Sequence, residues 1–259
     1  EILNAYDALR GFQSEFIQGH YYQLVEGFSK LILLIKNNIL ENKGIIKLHH
    51  QVTSINKREG LFILNTNQNF TCKCQQIIMA INPSQLYQFP LLKQVSITLK
   101  KYIMSKSLLK IVAQYKIDNG KVWFSNLGKI TTDSILRQII PLNQKTGYIL
   151  VSYTDGKDTL PFLENNSLKT TSQIKKIIEK ELELLFPHLQ IPSPIKILSY
   201  YWPIGCHYWR AGADSEKISQ KFINPNKNIY LCGEFLSRKQ TWIEGALEVS
   251  NDVIQLLTT

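Results

Sequence analysis

The sequence predicts an α/β plus α+β chain, with α/β structure toward its two ends and an inserted mixed or antiparallel sheet between them. Three features predict this. Two short apolar runs, 76–81 (QIIMAI) and 229–231 (IYL), lack polar alternation, as strands of a parallel sheet buried on both faces do. Between them, residues 107–153 hold longer β-type segments separated by turns, the pattern of an antiparallel sheet. Helical periodicity follows near 170–186 and again from 243 to 257. With 259 residues, 44% of them hydrophobic and 19% charged, the chain is long enough to bury a core without disulfides or a metal, in one large or two small domains. The expected division is 1–83 with 200–259 as one domain and 84–199 as the other.

In chain order, 28–43 places Phe28, Leu31, Ile32, Ile35 and Ile39 on one helical face, and Gly44 stands where a left-handed C-cap is expected. Residues 45–55 read as β structure, followed by 61–65 and 70–74 joined through the polar turn 66–69. Asn82-Pro83 stops the strand 76–81. Segments 107–115, 121–124, 135–140 and 148–153 read as strands, with turns at Asp118-Asn119-Gly120 and Asp155-Gly156. Ser167 or Thr170 caps a helix running to about Phe186, with a stripe of Ile174, Ile177, Ile178, Leu182 and Leu185 and Pro187 beyond its end. A strand at 195–201 leads into 202–228, which reads as a long aromatic-rich loop, and such loops are usually functional.

Several functions are excluded or disfavoured. The net charge of +10 is spread through a chain rich in Lys, Asn and Ile rather than clustered, so no nucleic-acid surface is expected. The apolar run 31–35 lies between Lys30 and Lys36 and is far below the ~18 residues of a membrane span. Four cysteines in this length fit a reducing, cytoplasmic location. Cys72 and Cys74 have no second pair at ligand spacing, and His49-His50 stand apart from the other histidines, so no metal is expected. The 13 glycines are nowhere closer than seven residues, which excludes the dinucleotide fingerprint, the Walker loop and the nucleophile elbow. The sequence starts at Glu1 with no signal-peptide pattern and reads as a fragment.

The most specific signal is 228–254, NIYLCGEFLSRKQTWIEGALEVSNDVI. An apolar strand delivers Gly233-Glu234, a polar loop follows, and Trp242-Ile243-Glu244-Gly245-Ala246 opens a helix. Such a helix start offers unpaired N–H groups and positive dipole charge to an electron-rich ligand edge, with small residues that permit close approach. This closing motif resembles that of the flavin-containing amine oxidases, the monoamine and polyamine oxidases. Upstream, 20–34 (HYYQLVEGFSKLILL), 46–55 (IKLHHQVTSI), 77–83 (IIMAINP) and 108–112 (LLKIV) resemble further segments of that family, jointly rather than singly.

The resemblance implies a partial, discontinuous FAD-binding Rossmann-like domain carrying an inserted substrate domain. It also implies FAD as cofactor, a small-molecule amine as substrate and O2 as oxidant. The family's N-terminal glycine-rich unit is not matched, so a further N-terminal flavin-binding segment is the expected partner and this chain alone is expected to bind FAD poorly. By resemblance, Lys110 holds a water against the flavin, its ordinary alternative being a solvated strand lysine. Glu234 receives a ribityl or ribose hydroxyl, or caps a strand end. Trp242 forms one wall of an aromatic cage, or packs the helix start; His207, Tyr208 or Trp209 supplies the other wall. Val52 meets adenine through its backbone, and Gly233, Ile243, Gly245 and Ala246 line the flavin. Cys206, in a Gly-Cys context, is a site for covalent flavin or a buried free thiol. A non-catalytic scaffold and a flavin desaturase are the rival functions.

Overall fold

The computed structural model describes residues 3–15, 24 and 26–258. In chain order the elements are α1 (Ala5–Glu15), α2 (Phe28–Glu41), β1 (Val52–Arg58), β2 (Leu61–Thr66), β3 (Thr71–Cys74), β4 (Ile77–Met79) and α3 (Lys93–Tyr102). Then come β5 (Ile103–Gln114), β6 (Ile130–Thr131), β7 (Gln138–Asn143), β8 (Tyr148–Asp155), β9 (Leu163–Glu164), β10 (Ser167–Leu168), α4 (Thr171–Leu185) and β11 (Lys196–Trp209). The chain closes with α5 (Ser215–Ile223), β12 (Ile229–Leu231) and α6 (Ile243–Thr258). It forms a mixed α/β fold with several sheets, in two compact units: Glu1–Ile103 with Trp209–Thr259, and Met104–Tyr208.

The first unit is assembled from both ends of the chain. β4 and β12 pair in parallel, Ile77 with Ile229 and Met79 with Leu231, and their inward side chains join a core with Leu86, Phe89, Leu99, Trp209, Phe235 and Val249. β1, β2 and β3 form an antiparallel meander. Residues 45–51, expected as strand, are irregular, with His49 in a left-handed turn and His50 edge-on to Phe70. β4 is not buried on both faces as its composition predicts, because Ile78 is 51% exposed. No residue of α2 is buried; its apolar residues, Phe28 to Leu40, all face outward.

The end of α2 corrects one expectation. The left-handed residue is Lys43 (φ 62), and its N–H bonds the Leu40 carbonyl. Gly44 follows, donating to the Ile39 carbonyl at 2.8 Å, so the helix ends in a Schellman motif with glycine one place later than expected. Glycine serves there for closeness, since a Cβ would stand 2.5 Å from Ile39 Cγ2.

The second unit is a five-stranded sheet in the order β11-β5-β8-β7-β6, with α4 on one face. Leu109, Ile111 and Ala113 of β5, Ile149 and Val151 of β8, and Ile174, Ile178 and Leu182 of α4 are buried in one core. Thr170, not Ser167, caps α4, and a full capping box forms with Gln173. Segment 121–124 is not a strand: the chain turns there, Ser125 Oγ binding both the N–H and the carbonyl of Val122. Its apolar residues anchor the turn instead, Trp123 and Phe124 packing edge-on to Tyr115. Strand β7 begins only at Gln138, because Arg137 takes a left-handed conformation.

The largest departure lies at 202–228. Residues 202–209 continue β11 and 215–223 form α5, so the expected long loop is mostly regular structure. Two residues made the strand look like a loop. Pro203 is tolerated because β11 is an edge strand, and Gly205 lets β5 approach so closely that a Cβ would sit 2.2 Å from Leu108 Cβ.

Asp7 of α1 is buried, with Oδ1 accepting from Ser215 Oγ at 2.8 Å and Oδ2 finding no hydrogen-bond partner among the described residues. Burial raises its pKa, and the Ser215 hydrogen bond and the charges of Arg10 and Arg238 pull it part of the way back. A carboxyl whose folded pKa exceeds its unfolded one favours the native state most below the unfolded pKa, and that contribution is lost as pH rises through the folded value. Asp7→Asn is therefore expected to melt higher than wild type at neutral pH, the two melting curves converging below about pH 4. In the second unit, Thr170→Ala is expected to cost about 1 kcal/mol and Gly205→Ala roughly 1–3 kcal/mol in urea denaturation.

Candidate functional site

Strand β12 ends at Leu231, and two residues on stands Gly233, whose φ of 148 and position, with a Cβ 2.9 Å from the Phe235 ring, suit only glycine. The chain turns through Glu234–Leu236 and enters a strapped loop. Ser237 Oγ donates to Glu248 Oε2 at 2.7 Å and accepts the Lys239 N–H at 2.8 Å, Gln240 Nε2 donates to the Phe235 carbonyl, and Glu234 Oε2 accepts the Thr241 N–H at 2.9 Å. Arg238 pairs with Glu248 at 3.6 Å, which fixes the loop to α6.

Two consequences follow at the start of α6. Gly245 is buried against the loop, where a Cβ would stand 2.2 Å from the Lys239 carbonyl oxygen, so its smallness is used for helix-to-loop packing. The N–H groups of Ile243 and Glu244 find no acceptor among the described residues, while Gly245 N–H bonds the Trp242 carbonyl at 3.2 Å. Trp242 is 48% exposed and Ile243 is exposed beside it, whereas Ala246 is half-buried and its carbonyl accepts from Ser250. An outward-facing helix start with open donors and a bare indole is suited to an aromatic, electron-rich ligand edge.

Thr241, which the sequence does not single out, carries this geometry. It has φ 74, costly for a β-branched residue, and it is held there by Glu234. Glu234 is thus tied at least in part to its own loop. Val52, at the first position of β1, packs against the core of the same unit and pairs with Thr66.

Lys110, Cys206, His207 and Tyr208 belong to the second unit. Lys110, half-buried on β5, has its Nζ 4.6 Å from the centre of the Tyr153 ring, and burial lowers its pKa. Cys206 is buried, its Sγ 4.0 Å from the Lys106 carbonyl, which lies about 13 Å along β5 from Lys110. Tyr208 donates to Asp155 Oδ2 at 3.3 Å, and burial together with the neighbouring Cys206 and Asp155 pushes its phenol pKa up. His207 is buried, and strand alternation turns it to the side of β11 opposite Cys206 and Tyr208. Trp209 lies in the core of the first unit, its Nε1 donating to the Ser237 carbonyl at 2.9 Å. Of the segments matched by resemblance, residues 20–23 and 25 lie outside the described residues.

The sequence identifies the family, and a solved structure shares the fold. The profile described as flavin containing amine oxidoreductase matches residues 5–252, and the chain belongs to this family. Among solved structures it is similar to a provisionally named protoporphyrinogen oxidase from Exiguobacterium sp. 255-15, with a TM-score of 0.69 and 12% identity over 96% of this chain. The chain spans 57% of the length of that structure. No curated protein matches the sequence. Membership implies a flavin, and the open N–H groups of Ile243 and Glu244, next to the small Gly245, fit its polar edge. Among the described residues, no helix is long and apolar enough to cross a membrane.

Thr241→Gly is expected to stabilise the protein by up to about 1 kcal/mol. The left-handed cost of a side chain is roughly 1–2 kcal/mol, partly offset by the backbone entropy glycine loses on folding. A urea midpoint that stays put or falls contradicts the strain.

Proposed function

We propose that this chain forms part of an FAD-dependent oxidoreductase that oxidises the C–N bond of an amine, with O2 as the terminal oxidant. The observation that carries this reading is the glycine turn after β12, the strapped loop and the open start of α6, within a chain of the flavin-containing amine oxidoreductase family. The amine loses two electrons and two protons to become an imine, water hydrolyses the imine to the aldehyde with release of ammonia or the smaller amine, and dioxygen gains two electrons and two protons to leave as hydrogen peroxide. The bound flavin supplies the two-electron acceptor.

The residues take these roles in the proposal. The N–H groups at Ile243 and Glu244 bind the electron-rich flavin edge, with Gly245 and Ala246 keeping the approach clear. Gly233, Glu234 and the backbone of Val52 serve its ribityl and adenine portions. The exposed Trp242 ring attracts the cationic amine through its quadrupole. Lys110 holds a water and a proton for the peroxide-forming half. His207 is the least favoured catalytic assignment because its ring is buried on the other side of its strand. Cys206, enclosed against the Lys106 carbonyl, favours non-covalent binding.

The first unit is read as a partial Rossmann-like flavin domain and the second as the substrate domain. The phosphate cradle would come from an N-terminal flavin-binding segment of the same polypeptide or another chain. Support comes from the glycine spacing, from β4, paired only with β12 among the described residues, and from the exposed apolar residues of α2. The four free cysteines support a cytoplasmic location.

The alternative readings are a scaffold without catalysis and a flavin desaturase. The test is flavin absorbance and peroxide release by the complete protein with primary, secondary and polyamines. Lys110→Met is expected to slow turnover roughly 100-fold or more without releasing flavin, and unchanged turnover removes Lys110 from the chemistry. A colourless protein that takes up no flavin supports the scaffold; flavin uptake with turnover confined to C–C bonds supports a desaturase.

A further inference from the structure

The five-stranded sheet has an apolar face against α4 and a second face of different character. On β5, Leu109, Ile111 and Ala113 point into the core, so Lys106, Leu108, Lys110 and Val112 point the other way. β8 would normally alternate in step, but its register against β5 shifts between Ile111 and Val112. Ile111 pairs with Ser152 and Val112 with Leu150, so Val151 is an extra residue in β8. Val151 and Ser152 are therefore both buried on the core side, and the phase of everything after them is inverted. Tyr153 and Asp155 emerge on the face that carries Lys110 and Leu108, paired with them across the strands.

The pair Lys110 and Tyr153 has a definite geometry. Nζ stands 4.6 Å from the ring centre, within the range of a cation–π contact. Among the described residues, no carboxylate forms an ion pair with Lys110, and burial is the one cause that lowers its pKa. The titratable groups sharing this face are Lys106 on β5, Tyr148 and Asp155 on β8, and Lys196, Tyr200, Cys206 and Tyr208 on β11; Asp155 is engaged by Tyr208, whose ring is in turn covered by Lys106 at 4.8 Å. A half-buried ammonium without a counter-charge loses hydration and gains most from a π face held against it.

We propose that Tyr153 is a positioning residue for Lys110, its ring face holding the ammonium in place and in the charged state, and that the β8 bulge exists in this fold to present it. The proposal rests on the assignment of Lys110 above for its catalytic consequence, but the contact itself is testable without flavin. Tyr153→Phe keeps the π face and loses the hydroxyl; Tyr153→Leu keeps apolar bulk and loses the π face.

The direct measurement is the rate of reductive methylation of Lys110 at neutral pH, read by peptide mass on the complete protein with and without FAD, since only the neutral amine reacts. Tyr153→Leu is expected to raise that rate roughly 2–5-fold and Tyr153→Phe to leave it at the wild-type value. In turnover, the limb of the pH profile that Lys110→Met abolishes is expected to move to lower pH in the Leu variant and to be restored in the Phe variant. A methylation rate in Tyr153→Leu that is unchanged or lower overturns the proposal, as does a Phe variant that behaves like Leu. If the Leu variant does not fold, Tyr153→Met gives the same comparison. Unchanged turnover in Lys110→Met rejects the catalytic assignment of the lysine, while the methylation rates still decide the contact.

Discussion

The parallel pairing of β4 with β12 is the constraint on which the first unit depends. It joins Ile77 to Ile229 across the whole inserted unit, so a contact distant in sequence must form before either flank can bury its apolar side chains. The entropy of closing so long a loop grows only slowly with its length, which is why an insertion of this size is tolerated. Once formed, the pairing aims the end of β12 at the loop 233–242 and thereby orients the start of α6. Glu234, Ser237 and Glu248 then hold that loop through hydrogen bonds to backbone N–H groups and to each other. Donors at the helix start stay open because the loop's own polar groups are satisfied elsewhere.

The second unit solves a different problem with a similar economy. An antiparallel sheet packed on one side by α4 needs a consistent inward row, and β8 keeps that row while turning its last residues outward by inserting Val151. Polar residues thus gather on the face away from the core, where Tyr208, Asp155, Lys106, Lys110 and Tyr153 interact in pairs. A single extra residue changes which side chains meet, with no change in composition.

Much of the architecture was legible in the residues. The amphipathic stripe and the Thr170 signal specify α4, and the Gly233 and Trp242–Ala246 pattern marks the strand, loop and helix at the carboxyl end. Sequence and structure part where one residue type has two physical uses. Gly44 reads as a left-handed cap but permits close approach, and Gly205 and Pro203 read as loop residues but sit in an edge strand. At 121–124 an apolar run reads as strand but fills the core from a turn. Thr241 and Tyr153 had no signal at all, because left-handed strain and the phase of a bulged strand are properties of the folded backbone.

By itself, the sequence determined what local physics determines: the periodicities, the caps, the absence of phosphate-binding glycine spacing, and the closing motif that places the chain among flavin-containing amine oxidoreductases. Tertiary structure alone decided which strands became neighbours, which face of β8 turned outward, and which glycines were needed for contact rather than conformation. The reason is that register and close approach depend on partners remote in sequence. Gly245 meets the Lys239 carbonyl, and Lys110 meets Tyr153, only because separate segments are held together by the packing around them.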